Sequence, residues 1–162
     1  MLIAVLFFTA SLDLRVQKAD SLFDIENYAS AESIYTSVLA TAQGADKAAC
    51  LKGLGNIRFS HGAFDEAEKY YGDAALIFKK VKDRRGEARI AINMGSLSVY
   101  RGIPGEAIKY YDQALVIVQK LKDRTEADRK DEVAIYLNKG QVYEDVRQYE
   151  RAREQYQEAF VV

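Results

Sequence analysis

Four times along this chain an Ala is followed four residues later by Tyr: Ala31/Tyr35, Ala67/Tyr71, Ala107/Tyr111 and Ala152/Tyr156. Twelve residues before each Ala stands a small residue, Ala19, Gly55, Gly95 and Gly140 in turn, and three after each Tyr stands Val38, Ala74, Ala114 or Ala159. A frame of small, small, aromatic, small at fixed offsets constrains the fold more than any other feature. Self-similarity of this kind marks stacked repeats, each unable to bury its apolar face alone, and such arrays mostly bind other molecules.

The second repeat is the clearest. Leu51, Leu54, Gly55, Arg58 and Phe59 recur at helical spacing, His61-Gly62-Ala63-Phe64 interrupts, and Ala67, Tyr70, Tyr71, Ala74, Ile77 and Phe78 resume. The pattern predicts helix, tight turn, helix. Gly in mid-helix costs about 1 kcal/mol relative to Ala. Repeating that cost points to a close helix crossing, with Gly55, Gly95 and Gly140 each expected against the Ala twelve residues on and the Tyr beside it. The third repeat reads Met94-Gly95, Gly102, Ala107, Tyr110-Tyr111 and Ala114, with Pro104 at the start of its second helix, where a missing N–H does no harm. The fourth reads Lys139-Gly140, Tyr143, Tyr149, Ala152, Tyr156 and Ala159; the first is the weakest, with Lys18 at an expected apolar position.

Composition agrees with an all-helical chain. One Pro and no Trp in 162 residues do not suit a turn-rich β protein, and 23 basic against 24 acidic residues create no bulk field for nucleic acid or membrane. Cys50 is the single Cys and His61 the single His, so the chain has neither an internal disulfide nor a Cys/His zinc site. Residues 2–8 (LIAVLFF) read either as the start of a first helix running to about Ile25 or as the apolar core of a signal peptide without a basic start. The run is too short to span a bilayer.

These residues closely resemble the tetratricopeptide repeat, whose first helix carries L-G-x-x-Y and whose second carries A-x-x-x-F/Y. Leu54-Gly55, Met94-Gly95, Tyr143 and all four Ala/Tyr pairs match, although Leu51, Ala91 and Tyr136 replace the usual first-helix Trp and the repeat-ending Pro is missing. The resemblance implies an all-α, right-handed superhelical solenoid of about four antiparallel helix pairs, near 3–42, 46–82, 86–122 and 127–162, as a single array within a longer protein. Successive Ala positions lie 36, 40 and 45 residues apart, against a usual period of about 34. The surplus falls in the charged segments 79–85 (KKVKDRR) and 120–129 (KLKDRTEADR). Because 79–85 and 120–123 are rich in helix-favouring Lys and Arg and contain neither Gly nor Pro, they are expected to continue the second helices. Lengthened repeats of this kind resemble those of Pins-type adaptors, kinesin light chains and bacterial sensor domains.

The same resemblance implies a concave groove lined by first helices. Carried over by position, it assigns Lys52, Asn56, Phe59 and Ser60 in the second repeat and Arg89, Ile92, Ser96, Val99 and Tyr100 in the third. The fourth contributes Leu137, Gln141, Glu144 and Asp145. Asn93 and Asn138 correspond to amides that hold a peptide backbone in extended arrays; the alternative is that they tie neighbouring helices together. Lys52, Asn56, Asn93, Arg89, Ser96, Tyr100, Asn138 and Gln141 are therefore the candidate peptide-binding set. A carboxylate clamp is excluded, because Ala134 and Asn138 stand where Lys and Arg are needed.

Catalytic chemistry finds no frame. Cys50 and His61 are about 16 Å apart if one helix joins them, Gly53 and Gly55 lack the strand and third Gly of a phosphate loop, and Asp65/Glu66 and Glu144/Asp145 read as helix-start or surface charges. The basic run from Lys79 to Arg89 is too narrow for nucleic acid and contains Asp83 and Glu87. The reading is a non-catalytic protein-interaction module, without cofactor or metal, that takes a peptide or helix in its groove. Two alternatives remain: an input domain of a larger signalling enzyme or transcription regulator, and a structural array self-associating through its uncovered C-terminal repeat. The expected compartment is the cytoplasm, or a secreted or periplasmic location if residues 2–8 belong to a signal peptide.

Overall fold

The computed structural model describes residues 14–162, so both readings of residues 2–8 lie outside the described residues. Helix α1 covers 14–24 of these. It is followed by α2 (Tyr28–Leu39), α3 (Gly44–Ser60), α4 (Phe64–Val81), α5 (Arg84–Tyr100), α6 (Pro104–Gln119), α7 (Glu126–Asp145) and α8 (Tyr149–Val161). No strand occurs among the described residues. The described residues divide into two compact halves, one up to Asp83 and the other Arg84–Val162. In the first, α3 packs against α2 and α4; in the second, α5 packs against α6, α7 against α8, and α7 also against α6 and α5.

The repeated frame supplies the core of each half. Ala31, Ala67 and Ala107 are fully buried and Ala152 nearly so, while Tyr35, Tyr71 and Tyr111 are 1–2% exposed. Around Tyr35 gather Val16, Ala19, Val38, Leu54 and Ile57; around Tyr111 gather Ala88, Ala91, Ile117, Ile135 and Val142. What each Gly makes room for most directly is a Tyr ring. A methyl group added at Gly55 would lie 2.6 Å from the Tyr71 ring, and one at Gly95 2.5 Å from Tyr111; Gly140 meets Tyr156 in the same way. The nearest atoms are those of the Tyr sixteen residues on, the ring that stands beside the Ala at twelve. Helical side chains lean toward the N-terminus, so the ring covers the level of the Ala one turn back and reaches the Gly first. Tyr35 takes a different seat, over Gly53 of α3.

All four intra-pair turns have one geometry. The residue seven after the frame's small residue has positive φ: Glu26 (60°), Gly62 (74°), Gly102 (73°) and Arg147 (60°). Each turn closes with the same paired backbone bonds, for example Gly62 N–H to the Phe59 carbonyl and Ala63 N–H to the Arg58 carbonyl, both 2.9 Å. This double closure satisfies last-turn carbonyls that would otherwise be orphaned. Two of the four positions carry side chains that the left-handed region disfavours.

The charged segments do not simply lengthen the second helices. Helix α4 ends at Val81, Lys82 has φ +60°, and Asp83 N–H returns to the Phe78 carbonyl at 2.9 Å before α5 begins at Arg84. Helix α6 ends at Gln119, and 120–125 form a connection. Thr125 then opens α7 with a reciprocal cap: its hydroxyl accepts from Asp128 N–H and the Asp128 carboxylate accepts from Thr125 N–H. This cap fixes the start of α7, which propensity alone could not locate. The longest repeat interval is therefore spread over three places: α6 has 16 residues against 12 in α2, α7 has 20 against 17 in α3, and the connection is longer by two residues.

Candidate functional site

The polar residues on the first helices sort by what holds them. The position after the frame's small residue is used by the core itself. Tyr35 donates to Asp20 at 2.5 Å, Tyr71 donates to Asn56 at 2.9 Å, and the Tyr111 and Ser96 hydroxyls are 3.2 Å apart. A buried phenol needs such a partner, because leaving it unpaired costs about 1–3 kcal/mol. Asn56 and Ser96 thus orient core rings as well as facing outward in part. In the fourth repeat the pattern shifts: Gln141 donates to Asp145 at 2.8 Å, and Tyr156 donates to Glu144 at 2.9 Å.

The charged candidates are also engaged. Lys52 on α3 lies 3.9 Å from Asp20 on α1, and Arg89 on α5 lies 3.2 Å from Asp131 on α7. The two amides, equivalent by register, are not equivalent in bonding. Both are half-buried. Asn93 has a partner within the fold, whereas no hydrogen bond to the Asn138 amide is formed among the described residues. Beside Asn138 on α7, Leu137 is 46% exposed, and Tyr100 at the end of α5 is 67% exposed. The structure thus brings Arg89, Asn93, Ser96, Tyr100, Asn138 and Gln141 onto two helices of the second half that pack on each other, while Lys52 and Asn56 belong to the first half.

Sequence reading missed a buried ionic cluster at the start of α7. The Arg85 guanidinium lies 2.9 and 3.1 Å from the two Asp128 oxygens and also donates to the Asp123 carbonyl. Glu132 accepts from Gln119 at 2.8 Å and pairs with Arg124. Asp128 and Glu132 are 1% and 4% exposed. The Arg85 hydrogen bond, aided by the Thr125 N–H and hydroxyl, holds the Asp128 carboxyl down at about 2 despite its burial. The Thr125-x-x-Asp128 spacing was the available signal for the cap; nothing local announced Arg85, some forty residues earlier.

Nucleophilic chemistry has no support at Cys50. Its side chain is fully buried, and burial together with Asp46 pushes the thiol up to about 12, so it stays protonated near neutral pH. His61 sits in the α3–α4 turn with its ring edge-on to Tyr28, 5.4 Å between centroids. No group of metal-ligating side chains forms among the described residues, and no described helix is long and apolar enough to cross a membrane.

Two tetratricopeptide-repeat family profiles match the chain, one over residues 47–120 and one over residues 133–160, together well over half of it. No curated protein matches the sequence. Among solved structures, BtubC (BKLC) from P. vanneervenii superposes with a TM-score of 0.74 at 19% identity, covering 91% of this chain and 61% of that one. MamA gives 0.63 at 15% identity, over 92% of this chain and 76% of its own. The pilF protein of Pseudomonas aeruginosa gives 0.56 at 16% identity, over 94% and 76%. The chain spans about three-fifths of the length of the first of these, and at such identities the likeness speaks for the fold alone.

Proposed function

Since this chain belongs to the tetratricopeptide-repeat family, whose repeats generally mediate contacts between proteins, we propose that it is a non-catalytic interaction module that holds a peptide or helix against its first helices. The observation that carries this reading is Asn138: a half-buried amide with no hydrogen bond among the described residues, next to exposed Leu137 and on a helix packed against α5. The Asn138 amide reaches solvent and is not committed to an internal bond, and an amide offers donor and acceptor together, which matches a peptide backbone. Tyr100 and Leu137 supply exposed apolar area on the same two helices. Arg89, Asn93, Ser96 and Gln141, each already bonded or paired inside the fold, serve as the shaped edge of this face. In the first half, Lys52 and Asn56 offer a cation and an amide. With a net formal charge of −1, neither nucleic acid nor a lipid surface is the partner in this reading.

The test begins with peptides selected from a phage-displayed library on the whole chain and titrated by calorimetry against the wild type, Asn138→Ala and Tyr100→Ala. Loss of backbone bonds in Asn138→Ala should weaken binding by about 0.5–1.5 kcal/mol per bond, roughly two- to twelve-fold, with the melting midpoint unchanged. Selected peptides that bind both variants as tightly as the wild type would overturn the assignment.

A further inference from the structure

A second surface lies away from the amides, where the start of α6 meets the end of α7 and the start of α8. A cavity of about 420 Å³ opens there, floored by Pro104, Ile108, Val142 and Val146 and edged by Lys109 and Arg151. A smaller cavity of about 110 Å³ adjoins it, sharing Pro104, Val142 and Val146 and reaching Asp145. All of these residues belong to the second half of the chain.

The first half shows what normally occupies this place. Counted from the frame, Pro104 corresponds to Tyr28 and Val146 to His61. In the first half the Tyr28 ring meets His61 edge-on and packs against Phe23 at 5.3 Å, so the equivalent notch is filled by an aromatic side chain. In the second half Pro104 and Gly105 stand where Tyr28 and Ala29 would be, and the space is left open.

The ionic groups around the notch are inverted as well. In the first half, Arg58 on α3 is neutralised from both sides, by Glu32 on α2 and by Glu66 on α4 at 3.0 Å. The corresponding residues in the second half are Tyr143, Ile108 and Arg151. Arg151 lies over the Tyr143 ring, 5.7 Å from its centroid, and donates to Gln148 at 3.0 Å; among the described residues it pairs with no carboxylate. Lys109 likewise has no ion pair among the described residues. The only acid lining the two cavities is Asp145, already held by Gln141 at 2.8 Å. An apolar floor with two uncompensated cations at its edge is complementary to an apolar ring flanked by carboxylates.

The geometry points to this notch as a docking site for an aromatic residue, Tyr or Phe, of a partner protein segment with acidic residues on either side. The partner ring takes the volume that Tyr28 fills in the first half, and its flanking carboxylates pair with Lys109 and Arg151. This site shares α7 with the amide face, and Asp145 of the smaller cavity is bonded to Gln141, but its floor and edge contain neither amide, so either assignment can fail without the other.

The experiment is an NMR titration of the isotope-labelled whole chain with two short peptides, acetyl-Glu-Asp-Tyr-Asp-Glu-amide and acetyl-Gln-Asn-Ala-Asn-Gln-amide. The acidic aromatic peptide should shift amides within 104–109 and 142–151, weaken at high salt, and bind at least five-fold more tightly than the neutral one. Pro104→Tyr with Val146→His fills the notch as in the first half, and Arg151→Glu reverses its edge. Each should weaken the acidic peptide at least five-fold while the melting midpoint stays that of a folded chain. If Pro104→Tyr with Val146→His perturbs folding, Arg151→Glu with Lys109→Ser decides alone, since both positions are at the surface. The proposal is overturned by shifts confined to residues 89–100 and 137–141, by equal response to the two peptides, by no response at millimolar peptide, or by a folded variant that binds like the wild type.

Discussion

Where α2 meets α3, the Tyr35 ring lies over Gly53, its hydroxyl reaches Asp20, and four residues connect the helices. Where α6 meets α7, six residues make the connection, and ionised groups hold it: Arg85 with Asp128, Arg124 with Glu132, and Lys139 with Asp112 at 2.7 Å. The apolar frame is common to both halves, so packing does not account for the difference. The short link 40–43 carries no charge and buries Ala42, 6% exposed, while Arg58 on α3 pairs with Glu32 on α2 beyond it. A longer charged one would stay mobile unless its backbone and carboxylates were given fixed partners. The second half therefore buries two carboxylates, Asp128 and Glu132, at one seam, and Asp128 makes that seam sensitive to acid.

Removing the centre of that seam should have the largest effect. Asp128→Ala takes away the α7 cap and leaves Arg85 without its carboxylate, and should lower stability by about 2–3 kcal/mol, read by chemical denaturation. Because Asp128 titrates near 2 in the fold rather than at its ordinary 3.8, its contribution is complete above pH 4 and disappears as pH falls from about 4 to 2. The wild type should lose stability across that window and Asp128→Ala should lose less; parallel acid profiles would contradict the assignment.

Next in size is the test of the shared frame. Gly95→Ala pushes a methyl group into the Tyr111 ring, which is 2% exposed and has nowhere to go; about 2 kcal/mol is expected. Gly140→Ala makes the same clash with Tyr156, but that ring is only half-buried, and it can swing outward at a cost of about 1 kcal/mol. Equal losses would show that the two halves resist overpacking alike. By contrast, Gly72 in α4 has open space around it, so Gly72→Ala should stabilise by about 0.5–1 kcal/mol. The smallest effect is expected at the turns. Arg147→Gly places in the fourth turn the residue that the second and third already carry at φ near 74°, and thermal melts should show a gain of about 0.5 kcal/mol.

Helical periodicity and the Ala/Tyr frame were enough to locate the core, because small residues and rings at a fixed phase have few other uses. They were not enough to say which atoms meet: period assigns a face, while the reach of a Tyr ring past Ala67 to Gly55 depends on side-chain direction. Residues 120–123 read as helix because Lys and Leu favour it, yet Arg85 draws the Asp123 carbonyl out of any helical ladder. That contact spans nearly forty residues and leaves no local trace. The candidate amides were equally half-legible. Asn93 and Asn138 share a register, but only the folded surroundings distinguish the bonded one from the unbonded one. The notch at Pro104 has no signal of its own in the sequence, since neither Pro104 nor Val146 carries chemistry by itself and its meaning lies in the contrast with Tyr28 and His61.

The tyrosines of the frame also have an optical meaning. With no Trp in the chain, near-ultraviolet absorbance comes chiefly from phenol rings, and a phenolate absorbs apart from a phenol. Burial pushes the ionisation of Tyr35, Tyr71 and Tyr111 upward, reinforced at Tyr35 by the neighbouring Asp20 carboxylate. These rings give up their protons readily only when their helix pair opens, so strong alkali unfolds the array as it titrates them. The near-ultraviolet absorbance that grows with time at high pH is a record of repeats coming apart, written by the same side chains that hold them together.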